Sequence, residues 1–364
     1  MQGETIVLVL ATSTGGTGAH VHSLTQALVG RGSRVTVCGP QSTEAAFGFA
    51  AAGACFAPVE IAAGPRPLAG ARALIALRTK LRSADLVHAH GLRAGLLAGL
   101  AAPRGVPYVV TWHNAVLGAG PTRTAYAALE RMVARRADVS LCVSPDLEAR
   151  VRELGGRDVR PGPVAAEPLP APRRSRADVR AELGAGDRPL VLSFGRLHPQ
   201  KGFLTLVAAA ARLRVRRPPP LVVIAGEGPQ RAALATAIRR AGVPLRLLGW
   251  RTDRSELLAA ADVVVLPSRW EGSPLAVQEA LLAGRPLVAT SVGGVPGLVR
   301  GAAALVPPND PVALAGAISR VLDDPVHAGE LAAHAAAVGA DLPSPAATAE
   351  RVAAVYQELL GRPV

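Results

Sequence analysis

The feature that most constrains the fold is a regular alternation of short apolar runs with longer helical stretches along the whole chain. Continuous apolar runs flanked by Gly, Pro or Asp are typical of parallel strands buried on both faces and joined by helical crossovers. The pattern predicts strands at 6–10, 35–37, 86–89, 108–111 and 139–143, then at 190–194, 221–225, 245–248, 263–266 and 287–289. We therefore predict an α/β fold built from doubly wound parallel sheets.

A proline-rich stretch divides this pattern into two halves. Residues 160–176 contain five prolines and end in three arginines, a composition that cannot continue a helix or a central strand. We predict an interdomain linker here, between a Rossmann-like domain over 1–165 and a second over 166–345. A last helix near 346–360 has no strand after it, and we expect 346–364 to pack back onto the first domain. Such sheets bind ligands at the carboxyl ends of their strands, which predicts two facing sheets with an interdomain cleft.

Charge and composition narrow the possible partners. The chain has 40 Lys and Arg against 27 Asp and Glu, a net charge of +13, which suggests an anionic partner. Five Phe, three Trp and three Tyr offer few platforms for base stacking, and no zinc-finger or basic-zipper pattern occurs. We therefore expect no nucleic-acid partner, and phosphates or an anionic lipid surface remain.

Cysteines and apolar runs predict the compartment. Cys38, Cys55 and Cys142 are odd in number and far apart, so neither a disulfide framework nor a zinc site is indicated. The sequence shows no targeting segment and no apolar run long enough to span a membrane. We expect a cytoplasmic protein, either soluble or peripheral on the inner face of the plasma membrane, and the near absence of lysine among its cations suggests a GC-rich bacterial genome.

A glycine-rich turn follows the first predicted strand. Gly15 and Gly16 precede a helix, where paired glycines let backbone N–H groups approach an anion at the positive helix end. A simple tight strand-to-helix turn explains the same residues equally well. The dinucleotide fingerprint is not met, because Val21 stands where its third glycine belongs and no acidic residue ends the second strand. A nicotinamide or flavin dehydrogenase is therefore not indicated.

Two cations follow the strand at 190–194, in the run FGRLHPQKG. The guanidinium of Arg196 and the ammonium of Lys201 suit a diphosphate. Lys201 is one of only two lysines among the 40 cations, so its position suggests that a compact ammonium is required. Two solvated surface cations are the simpler alternative.

Two carboxylates stand eight residues apart in EGSPLAVQE. Ser273 is a good N-cap and Pro274 a good first helical residue, which places Glu271 in a loop and Glu279 about one turn inside a helix. Both carboxylates can then face one pocket together with the free N–H of Leu275, and can accept hydrogen bonds from sugar or ribose hydroxyls. A solvated glutamate on an amphipathic helix is the plainer alternative, chiefly for Glu279.

Histidines follow two strands of the first half. His88 and His90 have the two-residue spacing of one strand face, but no carboxylate or cysteine accompanies them as a metal ligand set would require. We interpret His88 as a hydrogen-bonded structural residue. His113 lies just beyond the end of its strand and is the stronger active-site candidate.

The ordered set GGTGAH, FGRLHPQKG, AGEGPQRAAL, LGW and EGSPLAVQEALLAGRPLVATSVGGVPGLV resembles the retaining glycosyltransferases of family four, along essentially the whole chain. The resemblance implies a GT-B fold and a hexosyltransferase-like enzyme that uses a nucleotide-sugar donor, a UDP- or GDP-sugar, without a cofactor or a required metal. Two segments depart from the family pattern: Pro161-Gly162-Pro163 at the expected hinge, and Arg300-Gly301-Ala302, which lacks the usual acidic residue.

The resemblance also implies residue roles. Arg196 and Lys201 hold the leaving diphosphate, and Glu271 and Glu279 bind the donor sugar and the ribose. The implied catalytic residues are His113, Arg196, Lys201 and Glu271. The implied donor-binding residues are Gly15, Gly16, Arg196, Lys201, Glu271, Ser273, Leu275 and Glu279. The departing diphosphate leaves an oxocarbenium-like sugar that the acceptor hydroxyl attacks from the same face, so charge stabilisation and positioning carry the catalysis.

The base, the sugar and the acceptor stay open at this point. No single residue near Gly226 or Gly249 separates uridine from guanosine, and the acceptor hydroxyl can belong to a lipid, a glycan or a small metabolite. Two other readings remain: a nucleotide-sugar epimerase of related fold, and a non-catalytic nucleotide-sugar-binding protein. The first predicts turnover without an acceptor, and the second predicts loss of residues that this chain retains.

A basic segment lies in the first half. Residues 60–136 contain eleven Arg or Lys against three acidic residues, and 72–82 (RALIALRTKLR) alternate cations with large apolar residues. This pattern is typical of an interfacial amphipathic helix on anionic lipid, and equally of a solvated basic helix face.

Overall fold

The computed structural model describes residues 3–13, 15–62, 67–116 and 121–361. The chain divides into two compact units. The N-terminal unit comprises Met1–Ala165 together with Pro343–Val364, and the C-terminal unit comprises Ala166–Leu342. The end of the chain therefore belongs to the same unit as its beginning.

The N-terminal unit is built on a seven-stranded parallel sheet of order β3-β2-β1-β4-β5-β6-β7. Its strands are β1 (Thr5–Leu10), β2 (Arg34–Gly39), β3 (Cys55–Pro58), β4 (Leu86–His90), β5 (Tyr108–Trp112), β6 (Val139–Cys142) and β7 (Val159–Pro161). Its helices are α1 (Gly16–Gly30), α2 (Gln41–Phe47), α3 (Pro67–Lys80), α4 (Leu92–Ala101), α5 (Pro121–Arg136), α6 (Pro145–Glu153) and α15 (Pro345–Leu359).

One face of this sheet forms its core with α1 and α15. Ile6, Leu8 and Leu10 alternate along β1 and point to that face, as the two-residue period of a strand requires. Leu24 of α1 and Tyr356 of α15 pack in the same cluster. Right-handed crossovers place α3, α4 and α5 on the other face, where α4 packs against both α3 and α5.

The C-terminal unit is built on a six-stranded parallel sheet of order β10-β9-β8-β11-β12-β13. Its strands are β8 (Leu190–Phe194), β9 (Leu221–Ala225), β10 (Leu245–Gly249), β11 (Val263–Leu266), β12 (Leu287–Thr290) and β13 (Ala304–Val306). Its helices are α7 (Arg176–Glu182), α8 (Phe203–Leu213), α9 (Arg231–Ala241), α10 (Arg254–Ala260), α11 (Leu275–Leu282), α12 (Val295–Val299), α13 (Pro311–Asp323) and α14 (Pro325–Ala340), with a 3-10 turn at Pro199–Lys201.

Both faces of this second sheet are covered. Val191 of β8 packs in one apolar cluster and its neighbour Leu192 in another, so successive residues of one strand serve opposite helical layers. Burial on both faces explains why these strands are continuous apolar runs. The predicted fold class, two doubly wound parallel α/β sheets, is confirmed.

Three strands were not predicted, and all are short and peripheral. β3, β7 and β13 lie at sheet edges and are only partly buried. β7 occupies 159–161, so the predicted linker is wrong at its start; an edge strand tolerates Pro161 because one side of its backbone needs no ladder partner. Among the described residues, no helix has both the length and the apolar character needed to cross a membrane.

Candidate functional site

In the C-terminal unit, the loops that follow β8 and β11 are fastened to each other. The Gln200 carbonyl accepts the Arg269 N–H at 2.7 Å, and Gln200 Nε2 donates to the Trp270 carbonyl at 3.0 Å. Gly202 has a positive φ of 66°, and a Cβ there would lie 1.9 Å from the Pro267 carbonyl oxygen. Only glycine permits this approach, which brings Lys201 onto the second loop.

This approach pairs two of the predicted site residues. Lys201 Nζ lies 2.6 Å from Glu271 Oε1, and Ser268 Oγ donates to the same oxygen at 2.6 Å. Glu271 is buried, while the Lys201 side chain keeps about a quarter of its exposure. Arg196 is exposed, and within the described ranges no acidic side chain pairs with it. The site thus holds one neutralised cation and one available cation.

The helix that carries Glu279 begins one residue later than predicted. Pro274 has an extended ψ of 118°, so it precedes the helix, and Leu275 is the first helical residue. The predicted N-cap at Ser273 is therefore displaced by one position; Ser273 Oγ accepts a hydrogen bond from Gln278 Nε2 at 3.0 Å. Leu275 remains in the first turn, where backbone N–H groups have no partner within the helix.

Glu279 has a partner that the sequence did not suggest. Its carboxylate contacts Arg254 at the start of α10, and Arg254 also lies over the Trp250 ring, 5.9 Å from its centroid. Burial raises the pKa of Glu279, and the guanidinium of Arg254 opposes that rise. Glu279 Oε2 is buried without a hydrogen-bond partner, which marks an acceptor available to a ligand.

Close backbone approaches surround these side chains. At Gly226, with φ of 151°, a Cβ would lie 1.9 Å from the Gly195 carbonyl oxygen. At Gly293, with φ of 49°, a Cβ would lie 2.0 Å from the Glu271 carbonyl oxygen. The Gly294 N–H donates to that same carbonyl at 3.0 Å. Glycines therefore fix the backbone on both sides of the Lys201–Glu271 pair.

In the N-terminal unit, the predicted glycine turn stays open. Gly15 precedes α1, Gly16 is its first residue, and both are exposed. A Cβ at Gly15 would meet nothing within 4 Å, whereas one at Gly18 would lie 2.1 Å from the Phe47 ring. The glycine that packing requires is thus Gly18, and the exposed Gly15 leaves room for a ligand.

Four histidines gather at the carboxyl ends of β4 and β5 and on α1. His88 is fully buried and bonds Tyr356 Oη at 2.5 Å and Thr111 Oγ1 at 2.7 Å, which agrees with its interpretation as a structural residue. His113 Nε2 lies 3.2 Å from His90 Nδ1. The His20 ring lies 5.5 Å from that of His113, centroid to centroid, a neighbour that sequence reasoning missed.

Burial keeps these imidazoles neutral. It lowers the pKa of His20 to about 4 and that of His88 to about 3, and it lowers the pKa of His90 and His113 well below the ordinary range. His113 therefore offers neutral hydrogen-bonding nitrogens rather than a positive charge. Across the described ranges, no group of three or more His, Cys, Asp or Glu side chains has the arrangement of a metal site.

Comparison with known proteins identifies the family. Residues 15–170 match the family "Glycosyl transferase 4-like domain", and 188–324 match "Glycosyl transferases group 1". The glycogen synthase of Mycobacterium tuberculosis is 32% identical over 351 residues, covering 86% of this chain and 84% of that protein. The chain belongs to the group 1 glycosyltransferases. It is a nucleotide-sugar-dependent enzyme of the retaining family four, as the motifs predicted.

Solved structures agree on the GT-B fold of this glycosyltransferase. Sucrose-phosphate synthase from Thermosynechococcus elongatus superposes with a TM-score of 0.81 at 23% identity, covering 98% of this chain and 99% of that one. Anabaena HepE in complex with UDP-glucose superposes with a TM-score of 0.82 at 20% identity, covering 97% and 99%. At this identity the likeness shows the fold.

Proposed function

We propose that this glycosyltransferase uses a UDP-sugar as donor and binds it in the C-terminal unit, with the acceptor hydroxyl bound by the N-terminal unit. The observation that carries the proposal is the Lys201–Glu271 pair beside the exposed Arg196, all on loops at the carboxyl ends of β8 and β11. Ligands of open α/β sheets bind at that end. The solved HepE complex with UDP-glucose supports uridine as the base.

In this proposal the diphosphate takes Lys201 away from Glu271. The ammonium and the Arg196 guanidinium then bind the phosphate oxygens, and the released Glu271 carboxylate accepts hydrogen bonds from sugar hydroxyls. Glu279 accepts from the ribose through Oε2, the atom without a partner in the free protein. Lys201 and Glu271, which lose each other as partners on binding, thereby each gain a new partner. The complex therefore leaves neither group desolvated and unpaired.

Catalysis follows from where charge develops. The bond between the anomeric carbon and the diphosphate oxygen breaks, and Arg196 and Lys201 stabilise the negative charge on the leaving phosphate. The acceptor hydroxyl forms the new bond on the same face, and its proton passes to the departing phosphate oxygen. We assign Gly15, Gly16 and the neutral His113 to the contacts that the N-terminal unit makes with the reacting groups. Ser273 and the Leu275 N–H complete the donor set, and no step requires a covalent nucleophile or a metal.

Donor binding is testable without knowing the acceptor. We expect UDP, and neither GDP nor ADP, to raise the melting temperature; at one hundred times its Kd a ligand stabilises by about 2.7 kcal/mol. Lys201→Ala and Arg196→Ala should abolish the shift. Arg214→Ala, an exposed cation of the same unit, is the matched control and should retain it.

The other outcomes are equally informative. A shift with GDP alone would overturn uridine as the base, and no shift at millimolar nucleotide would overturn the donor site. Incubating the enzyme with the stabilising nucleotide sugar and following it by NMR separates the chemistries. Interconversion of the sugar with no acceptor present would indicate an epimerase and contradict transfer.

A further inference from the structure

The exposed apolar side chains of the N-terminal unit are concentrated on one group of helices. Among the described residues of that unit, the large hydrophobic side chains that remain exposed are Leu68, Ile75, Leu100 and Met132. They lie on α3, α4 and α5, which pack side by side on one face of the sheet. Leu68 and Ile75 are 81% and 65% exposed, far more than core packing would leave.

The same helices, and the turns that follow α3 and α4, carry exposed cations without acidic partners. These are Arg72, Arg78, Lys80, Arg82, Arg104, Arg123, Arg131 and Arg135. Over the described ranges, none of the eight forms an ion pair. We call these eight cations and the four apolar side chains the basic face. Arg66, another cation of the basic segment, lies outside the described residues.

Nearby acidic groups do not neutralise this face. Residues 67–136 contain only Asp85 and Glu130 as acidic residues. Asp85 accepts the Thr5 backbone N–H at 2.7 Å, and the buried Glu130 pairs with Arg150 at 3.1 Å. Both carboxylates are therefore engaged inside the unit, and the field of the face stays positive.

Helix α3 has one buried side and one exposed side. Ala73 and Leu77 point into the unit and are buried, and Leu81 follows one turn later. Leu68, Arg72 and Ile75 are spaced by four and three residues, so they form one stripe on the opposite side. Only part of the predicted amphipathic segment can therefore contact a surface. Leu77 and Leu81 belong to the core, while Ile75 faces outward between cations.

We propose that the basic face docks the protein on an anionic lipid bilayer. Cations around exposed Leu and Ile side chains complement the two layers of such a surface, which are charged headgroups and the apolar zone beneath them. A soluble polyanion would be attracted by the same cations but would gain nothing from Leu68 and Ile75. The apolar residues therefore decide in favour of a bilayer, and docking is independent of the proposed donor specificity.

The experiment is sedimentation of the full-length protein with vesicles of phosphatidylcholine alone or mixed with phosphatidylglycerol. We expect binding to the mixed vesicles only. Binding should fall at least tenfold between 50 and 500 mM salt, because the Debye length shortens from roughly 14 Å to roughly 4 Å. The triple variant Arg72→Glu/Arg78→Glu/Arg82→Glu should lose binding. The triple variant Arg212→Glu/Arg214→Glu/Arg240→Glu changes the net charge equally on exposed sites of the other unit and should keep it.

An apolar pair completes the test. Leu68→Ser/Ile75→Ser should weaken vesicle binding about tenfold without altering retention on heparin, whereas Val215→Ser, at a 74% exposed site of the C-terminal unit, should change neither. Equal losses in both charge variants would show attraction by net charge alone and overturn the proposal. Unchanged vesicle binding in the serine pair would overturn it as well, since a nucleic acid or another polyanion would then be the better partner.

Discussion

The ammonium of Lys201 and the carboxylate of Glu271, seventy positions apart, meet at 2.6 Å, and Ser268 donates to the same carboxylate oxygen. The cation assigned to the donor phosphates is therefore already neutralised in the free protein. In the proposed complex, nucleotide binding exchanges one anionic partner of Lys201 for another, rather than filling an empty positive site. The affinity for the nucleotide is then a difference between two ion pairs.

Glu271→Gln should separate nucleotide binding from transfer. A neutral amide holds Lys201 less strongly, so we expect UDP to bind about fivefold more tightly, a gain of about 1 kcal/mol. Sugar transfer should fall by about a hundredfold or more, because the carboxylate that accepts from the donor sugar is lost. Calorimetric titration with UDP and a UDP-release assay measure the two effects. Weaker UDP binding in the variant would contradict the exchange.

The Arg254–Glu279 contact should show coupling in a double-mutant cycle. Arg254→Gln leaves a buried carboxylate unpaired and should cost about 1 to 2 kcal/mol in the free energy of unfolding; the value is modest because the Arg254 side chain is 42% exposed. Glu279→Gln should cost less, since the remaining arginine can reach water. The double variant should lose less free energy of unfolding than the sum of the losses in the two single variants. Strict additivity in urea unfolding would show that the contact contributes nothing.

The buried histidines should make the N-terminal unit sensitive to acid. Below pH 6.5 the unfolded chain binds protons at His20 and His88, while the folded chain does not until the pH approaches about 4 and about 3. Stability is therefore intact above pH 6.5 and is lost as the pH falls, by about 2 kcal/mol per histidine at pH 5. Urea unfolding at pH 7.5 and 5.0 measures the loss of stability, with hydrogen exchange in residues 86–112 as the readout for the N-terminal unit.

A substitution isolates one of these contributions. His88→Gln keeps a hydrogen-bonding group but cannot titrate, so the difference in stability between the two pH values should shrink by about 2 kcal/mol. His334→Gln, at an exposed position of the other unit, should leave the difference unchanged. An undiminished pH dependence in His88→Gln would mean that other groups cause it.

Glycine replacements should distinguish the donor loops from ordinary helix. Gly226→Ala forces a Cβ to 1.9 Å from the Gly195 carbonyl at a positive φ, so we expect a loss of about 2 to 4 kcal/mol in stability and loss of nucleotide binding. Gly316→Ala, inside α13 with open space around its Cβ, should stabilise by about 1 kcal/mol. Thermal unfolding with and without UDP checks both. A silent Gly226→Ala would show that the loop can move.

The fold was predictable where residues are buried on both faces. Runs such as that of β8 were predictable as strands because they are almost entirely apolar over five residues, whereas β7 and β13, of three residues each, are too short for the pattern to identify a strand. Their assignment depends on pairing with a neighbouring strand, which local sequence does not encode. For the same reason, the burial of Leu77 on α3 and of Leu81 just after it was not predictable, since the sequence shows that a residue is apolar but not whether the core contacts it.

Each candidate site residue could be proposed from the sequence, but the contacts between these residues could not. Arg196, Lys201, Glu271 and Glu279 stand in recognisable runs, yet the Lys201–Glu271 contact requires the turn at Gly202 to meet the loop after β11. Arg254 follows no motif, and it contacts Glu279 because α10 and α11 pack in the same apolar cluster of the C-terminal unit. His20 was likewise visible only once α1 was packed beside β4 and β5.

Helix α15 supplies Tyr356 and neighbouring side chains to the core of the unit that the first residues begin. During synthesis, the segment 166–342 leaves the ribosome with all of its own strands before α15 has been made. The N-terminal unit, although translated first, cannot close its core until about residue 359 has emerged. A ribosome that stops before α15 has been made therefore releases a chain in which the N-terminal unit, rather than the C-terminal unit, lacks part of its core.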